Sequence, residues 1–371
     1  MSKLIFSRSD LIAATKRAAR AVCKKNIRAI LAGVSVMAAD GRANLLCTDL
    51  ETYSSASLDV SGDGHFCVDA SKFKSMLDCL IGDMVEIDVE TSQITMRDEK
   101  SRLSLRQFTD PFPEEKFTDG APSFECDGGS FAAAMSFVEP SVGGAHKSYV
   151  FGAICLRVKE GVIECWGMDG AMFAGAFTKG TVHRQVECSL VPPAFSTLIA
   201  GITGDMECWL NKSSIAIRTP EDFVMTRLVE GKYPDLQGLL AKQHTTKGQF
   251  ACKAGELRKA LQAAKVVCTG DAVAVEMLLN SPTVLEVRAP NKEPGEVETK
   301  VFGVLTGEQD AATFDVERAI VGIGCFGGDV VVKSSGPEAP WVVESAAEEG
   351  QKPARVISFQ PNIAKVQAKE G

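Results

Sequence analysis

What the chain lacks narrows its function first. Its 371 residues include only four histidines, His65, His146, His183 and His244, too far apart to share the spacing of a metal site. The twelve cysteines are scattered and no Cys-x-x-Cys occurs, so neither a zinc ribbon nor a redox motif is expected. They read as reduced, mostly buried small hydrophobes. No apolar run reaches membrane-spanning length and the N-terminus has no signal-peptide core, so a cytoplasmic address without a membrane partner is expected. No motif suggests a Ser-His-Asp or Cys-His arrangement. Gly143-Gly144-Ala145-His146-Lys147-Ser148 lacks the spacing and the glycine before lysine of a phosphate loop. The expectation is therefore no catalytic residue, no cofactor and no metal. An excess of positive charge is missing too. The net charge of −8 argues against nucleic acid as a sum, but an acidic chain can still carry one basic face.

What is present is a repeat. Phe66-Cys67-Val68-Asp69-Ala70-Ser71-Lys72-Phe73, closed by Gly82-Asp83-Met84, returns as Cys188 to Phe195 closed by Gly204-Asp205-Met206. It returns again as Thr313 to Ala319 closed by Gly328-Asp329-Val330. The three Gly-Asp pairs are 122 and 124 residues apart, so three similar units fill the chain: 1–122, 123–248 and 249–371. In the first, Ser7 or Ser9 is placed to cap a helix over residues 10–23, with Leu11, Ala14, Ala18 and Val22 on its apolar side. Lys16, Arg20 and Lys24 fall elsewhere, with Arg17 beside them. The third unit repeats this stripe with Leu257, Ala260, Leu261 and Ala264, leaving Arg258 and Lys265 off it. In the second unit Phe131, Met135 and Val138 repeat the stripe without basic residues. The recurring segment predicts second helices over 70–81, 192–202 and 316–325, closed by Gly82, Gly204 and Gly327. Short alternating runs with Gly, Asp and Asn between them read as antiparallel hairpins. The fold class is α+β, each unit holding two helices and about eight strands.

Three motifs then converge. Cys47-Thr48-Asp49-Leu50-Glu51 follows a strand in the first unit, and Met168-Asp169-Gly170-Ala171-Met172-Phe173-Ala174 stands in the matching place 120 residues on. Leu228-Val229-Glu230-Gly231-Lys232-Tyr233-Pro234-Asp235 ends the second unit. In order and over essentially the whole length, the chain resembles the bacterial sliding clamp family, the beta subunit of DNA polymerase III. That family typically reads Gly-Thr-Asp-Leu-Glu, Thr-Asp-Gly-His-Arg-Leu-Ala and Val-Asp-Gly-Arg-Phe-Pro-Asp-Tyr. Asp49 and Asp169, being repeat equivalents, read as structural turn residues that cap backbone N–H groups rather than as metal ligands.

The resemblance implies three clamp domains per chain and a head-to-tail homodimeric ring. Helices would line the hole and sheets the outside. Such a processivity factor encircles duplex DNA without reading sequence and tethers DNA polymerase, clamp loader and other proteins. Candidates to meet DNA are Lys16, Arg20, Lys24, Lys25, Arg28, Arg258 and Lys265, with Lys147 and Tyr149 from a region the family uses near the duplex or the pocket. Weak phosphate contacts suit sliding, because no register is preferred. The resemblance also implies a pocket for partner peptides between domains 2 and 3. Its matching positions are Tyr149, Val150, Gly152, Met168, Gly170, Ala171, Met172, Phe173, Pro234, Leu239, Val356, Ile357 and Ser358. The family's His-Arg after Asp-Gly is Ala171-Met172 here, and an arginine common four residues after the motif proline is Gly238. The last strand and the polar tail after it also depart from the family, so a different peptide preference is expected. Ring contacts are expected from Lys72, Phe73, Lys74 and Arg102 against Val266, Val267, Glu293, Glu296 and Glu298. The alternative reading is a non-catalytic β-rich structural or virion assembly protein.

Overall fold

The computed structural model describes residues 2–22, 28–113, 117, 120–143, 149–235, 246–268, 274–289, 295–347, 355–359 and 361. Residues 1–132, 180–185 and 194–229 form one compact unit; residues 133–179, 186–193 and 230–371 form a second. The middle repeat contributes to both.

Among the described residues the helices are α1 (Arg8–Ala18), α2 (Ala70–Cys79), α3 (Gly128–Val138), α4 (Ala194–Leu198), α5 (Ala254–Val267) and α6 (Val316–Gly324). They stand where the repeat predicts them, with shorter ends. The first was expected over 10–23, but it tightens into a 3-10 turn at Ala19–Ala21. The fourth starts only after Pro192 and Pro193. Its expected extension to residue 202 is a run of turns in which the Ile199 and Ile202 amides still reach back to Phe195 and Ile199. At the end of α6 the positive φ falls on Gly328, at 86°, rather than on Gly327. Asp69 and Asp315 cap α2 and α6 by accepting the Lys72 and Arg318 amides.

The recurring Gly-Asp turn has a local task that its sequence did not disclose. The Arg8 amide donates to the Asp83 carbonyl at 2.8 Å, that of Gly128 to Gly204 at 2.7 Å, and that of Ala254 to Gly328 at 3.0 Å. Each turn thus satisfies one of the orphan N–H groups at the start of the first helix in its repeat. The apolar stripes point inward as expected. Leu11, Ala14 and Ala18 are fully buried, as are Phe131, Met135, Val138, Leu257 and Leu261.

Among the described residues all strand pairings are antiparallel. In the first unit the hairpin Arg42–Thr48 and Thr52–Asp59 is flanked by Gly33–Ala39, which pairs with Gly64–Asp69. Thr52–Asp59 takes its outer partner from Asp222–Arg227, with Ser54 opposite Val224. A separate sheet joins Ser2–Ser7, Met84–Val89, Gln93–Arg97 and Arg102–Arg106. In the second unit Met172–Val182 lies between Val162–Met168 and Arg355–Phe359, with Ala174 opposite Ile357. Val297–Gly307 pairs through its first half with Val284–Ala289 and through its second with Gly248–Lys253.

After α2 the chain is held by one carboxylate. Asp98 accepts the amides of Ile81 at 2.7 Å, Gly82 at 3.3 Å, Lys100 at 2.8 Å and Ser101 at 2.6 Å. These bonds favour the ionised form and hold Asp98 well below the usual carboxylate range. The stabilisation is fully present above the unfolded pKa of about 4 and is lost as pH falls through the lower folded value. Asp98→Asn is therefore expected to be less stable than the parent chain at neutral pH, with the gap closing below about pH 4. Urea unfolding at both pH values checks this; a gap that widens in acid would refute it.

Candidate nucleic-acid and partner-binding surfaces

The basic residues of α1 divide between solvent and internal work. Lys16 is exposed, and so is Arg28 beyond the helix. Arg17 is turned inward: its Nε reaches Asp222 Oδ1 at 2.7 Å and its Nη2 reaches Glu221 at 3.5 Å. Arg20 donates to the carbonyls of Leu198 at 3.1 Å and Ala200, at the C-terminal end of α4, where cations are favoured. Partial burial lowers its pKa, with Arg17 acting in the same direction and Asp222 opposing. Arg20 thus ties together two helices from adjacent repeats, and only its exposed part faces solvent. In the second unit Arg258 is exposed on α5, while Lys265 pairs with Glu317 at 3.0 Å. Lys16, Arg28 and Arg258 have no ion pair among the described residues. Lys24, Lys25 and Lys147 lie outside those residues, and Tyr149 opens a 3-10 turn, Tyr149–Gly152.

Of the expected pocket residues, Met168, Gly170, Ala171, Met172 and Phe173 belong to one tight turn between paired strands. Asp169 Oδ1 accepts the amides of Ala171 at 2.8 Å and Met172 at 2.7 Å, and Oδ2 accepts from Arg318 Nε at 3.0 Å. The repeat-equivalent Asp49 accepts the amides of Glu51 at 3.1 Å and Thr52 at 2.7 Å. The same closing bond follows in both, Asp49 N–H to Thr52 O and Asp169 N–H to Met172 O. The turn role expected of both aspartates is what they perform. Among the described residues, no group of three or more His, Cys, Asp and Glu is arranged to hold a metal.

Around this turn the expected pocket lining is only partly accessible. Gly170 is exposed; Gly152, Ala171 and Pro234 are half-buried. Val150, Met168, Met172, Phe173, Val356 and Ser358 are buried, each less than a tenth exposed. Ile357 has no exposure, and its Cγ2 lies against Gly322 of α6, so it is a core residue and not a pocket wall. Phe173 stacks on Trp166 with ring centroids 4.8 Å apart. Leu239 lies outside the described residues, as do residues 144–148 of the glycine-rich segment.

One expected ring contact is overturned. Phe73 is fully buried, edge-on to Phe66 at 5.7 Å, because it occupies the inward stripe of α2. Lys72 and Arg102 are exposed and Lys74 is half-buried. Val266 is 77% exposed, Val267 is half-buried, and Glu296 is exposed. Glu298 is exposed and pairs with Arg288 at 3.4 Å, and Glu293 lies outside the described residues.

Residues 2–114 match the family model for the N-terminal domain of the DNA polymerase III beta subunit. A beta sliding clamp of Pseudomonas aeruginosa is 22% identical over 348 residues, covering 88% of this chain and 91% of its own. Over residues 2–114 by the family model, and over most of its length by this relative, the chain is similar to the DNA polymerase III beta subunit. Two solved beta subunits share its fold over 97% of its length and 99% of theirs. One is a Pseudomonas aeruginosa sliding clamp bound to griselimycin, at a TM-score of 0.86 and 19% identity. The other is from Thermotoga maritima, at 0.84 and 17%. Strand pairing sets the residues that follow the Asp169 turn alongside Arg355–Phe359. The internal engagement of Arg17 and Arg20 had no signal in the sequence, since their partners lie about 180–200 residues away.

Proposed function

We propose that this chain is a DNA sliding clamp. It is a non-catalytic, cytoplasmic processivity factor that closes with a second copy into a ring around duplex DNA. Through short peptides it tethers a polymerase, a loader and other partners. The relatives reported above carry the sliding-clamp or beta-subunit name, which favours this reading over a structural or virion component.

The observation that carries the assembly is a junction that occurs twice. Thr52–Asp59 of the first repeat takes its outer partner from Asp222–Arg227, the last strand of the second. Met172–Val182 of the second takes Arg355–Phe359, the last strand of the third. Continued by one step, the pattern asks for a partner along residues 297–301 and for another along Arg102–Arg106. Among the described residues the former pair only with Val284–Ala289 and the latter only with Gln93–Arg97. A second copy supplies both, head to tail, and the contact closes with two chains and six domains, 1–122, 123–248 and 249–371 in each. Arg102 and Arg106 then face an edge that carries Glu298, with Glu296 just before it.

Lys16, Arg28 and Arg258 have the free charge to meet phosphates, with Lys24, Lys25 and Lys147 as further candidates. Retention on circular DNA followed by release on linearisation tests the ring. The expected result is both outcomes together. A chain that ignores the cut, or never stays on the circle, is not a clamp. Charge reversal at Glu296 and Glu298 is expected to weaken dimerisation about tenfold or more, equivalent to about 1.4 kcal/mol. Sedimentation runs with unchanged dimer affinity would remove those residues from the contact.

The peptide site is proposed at Gly152, Gly170, Ala171 and Pro234, the accessible part of the implied pocket. Two polar groups of the family motif are absent at Ala171 and Met172, so it takes a more apolar peptide than the usual one.

A further inference from the structure

Beside the Tyr233-Pro234 motif two thiols meet. Cys155 Sγ and Cys188 Sγ are 3.0 Å apart, across the paired strands Ile154–Lys159 and Val186–Val191. Cys155 lies directly opposite Leu190, so Cys188 is its diagonal neighbour on the same face, just before the register shifts at Leu156–Val158. In the first repeat Ser35 and His65 stand in a similar diagonal relation, Ser35 lying opposite Cys67, and their side chains also touch, at 3.2 Å.

The two thiols differ in the way that sequential oxidation requires. Cys155 is buried and Cys188 is exposed. The Cys155 thiol shares a hydrogen bond with Cys188, the Tyr233 amide donates to the Cys188 sulfur, and the Arg157 charge lies nearby. Together they hold Cys188 below the ordinary thiol range against the opposing effect of partial burial. Cys155 is pushed up by the same hydrogen bond and by burial. The other charged neighbour is Glu164, which pairs with Arg157 at 3.4 Å. By contrast Cys47, Cys67, Cys126 and Cys252 are raised by burial and have no such neighbour to favour the thiolate.

The geometry points to Cys155 and Cys188 as a hydroperoxide-oxidised dithiol, with Cys188 attacking and Cys155 resolving. The Cys188 thiolate attacks the peroxide, an S–O bond forms, the O–O bond breaks, and the leaving hydroxide takes up a proton to become water. Cys155 sulfur then attacks Cys188 sulfur; the S–S bond forms, the S–O bond breaks, and hydroxide leaves with the Cys155 proton as a second water. Two thiols are oxidised by two electrons and one peroxide is reduced. The product no longer offers Tyr233 a thiolate acceptor, so oxidation reaches the motif at the edge of the proposed peptide site. The chemistry itself does not depend on the clamp assignment.

The test treats the full chain with hydrogen peroxide, alkylates the remaining thiols and maps the peptides by mass. A linked Cys155–Cys188 peptide pair is expected to form roughly tenfold faster than the other ten thiols are lost, and to reopen with dithiothreitol. In Cys155→Ser the reaction is expected to stop at a sulfenic acid on Cys188 that dimedone traps; in Cys188→Ser neither product forms. The proposal is overturned if the parent chain loses other thiols as fast as this pair. It is overturned equally if Cys188 oxidises without forming the link. Both readings use the unsubstituted protein and so do not depend on the variants folding.

Discussion

Gly175→Ala is expected to lower the melting temperature of the transition that includes strand Met172–Val182 by about 6–12 °C, corresponding to about 3 kcal/mol. Gly175 sits directly opposite Trp166 in the ladder. The indole lies across the space a side chain would need: a Cβ at 175 would stand 2.7 Å from Trp166 Cη2 and closer still to Cζ3. The ring has nowhere to retreat. It is 2% exposed, stacked on Phe173 at an interplanar angle of 15° and edge-on to Phe177 at 5.2 Å. Shifting it breaks both ring contacts and disturbs the strand that carries the Asp169 turn. Scanning calorimetry gives the size of the effect, and a double-mutant cycle gives its cause. In a Trp166→Leu background the same glycine substitution is expected to cost much less, because the flexible leucine leaves the space open. Additive effects in that cycle would place the cause elsewhere.

Asp169→Ala is expected to accelerate amide exchange at Ala171 and Met172 about 30-fold, as follows from losing two charge-assisted bonds worth about 2 kcal/mol together. The same substitution strands Arg318, 36% exposed, without the carboxylate it now reaches at 3.0 Å. Asp49→Ala is the internal comparison. It removes the same two-amide turn at Glu51 and Thr52, and among the described residues no cation pairs with its carboxylate. Equal exchange effects with a larger loss of global stability at Asp169 are therefore expected. If the Ala171 and Met172 amides exchange at their parental rate in the variant, the turn is held by the strand pairing to Arg355–Phe359 and not by the aspartate.

How much of this was legible in the sequence depended on distance along the chain. The twin turns at Asp49 and Asp169 were readable because an aspartate two or three residues before the amides it caps is a local pattern. So were the helices, whose stripes Leu11-Ala14-Ala18 and Leu257-Ala260-Leu261-Ala264 state their own period. Phe73 was misread as a surface group because the basic residues Lys72 and Lys74 flank it, although its helical stripe with Leu77 turns it inward. Arg20, with Arg17 beside it, looked like a free phosphate contact for a different reason. Their partners, Asp222 and the α4 carbonyls, come from the next repeat, and nothing near residue 17 announces them. The outer edge of Val297–Gly307, open along residues 297–301 among the described residues, was equally silent in the sequence, since an open ladder is a property of topology.

The strand exchange between neighbouring repeats has a consequence for how the chain divides. Thr52–Asp59 borrows its outer neighbour from Asp222–Arg227, and Met172–Val182 borrows from Arg355–Phe359. The unit of repetition and the unit of folding are thus out of step by about half a repeat, as the boundaries within residues 132–230 show. A fragment ending near residue 122 would keep its helices and its hairpins, yet bare a row of N–H and C=O groups along residues 52–56. Such an edge is a template for pairing with any extended chain, its own copies first. Severed at its most obvious sequence boundary, the protein would be sticky rather than modular.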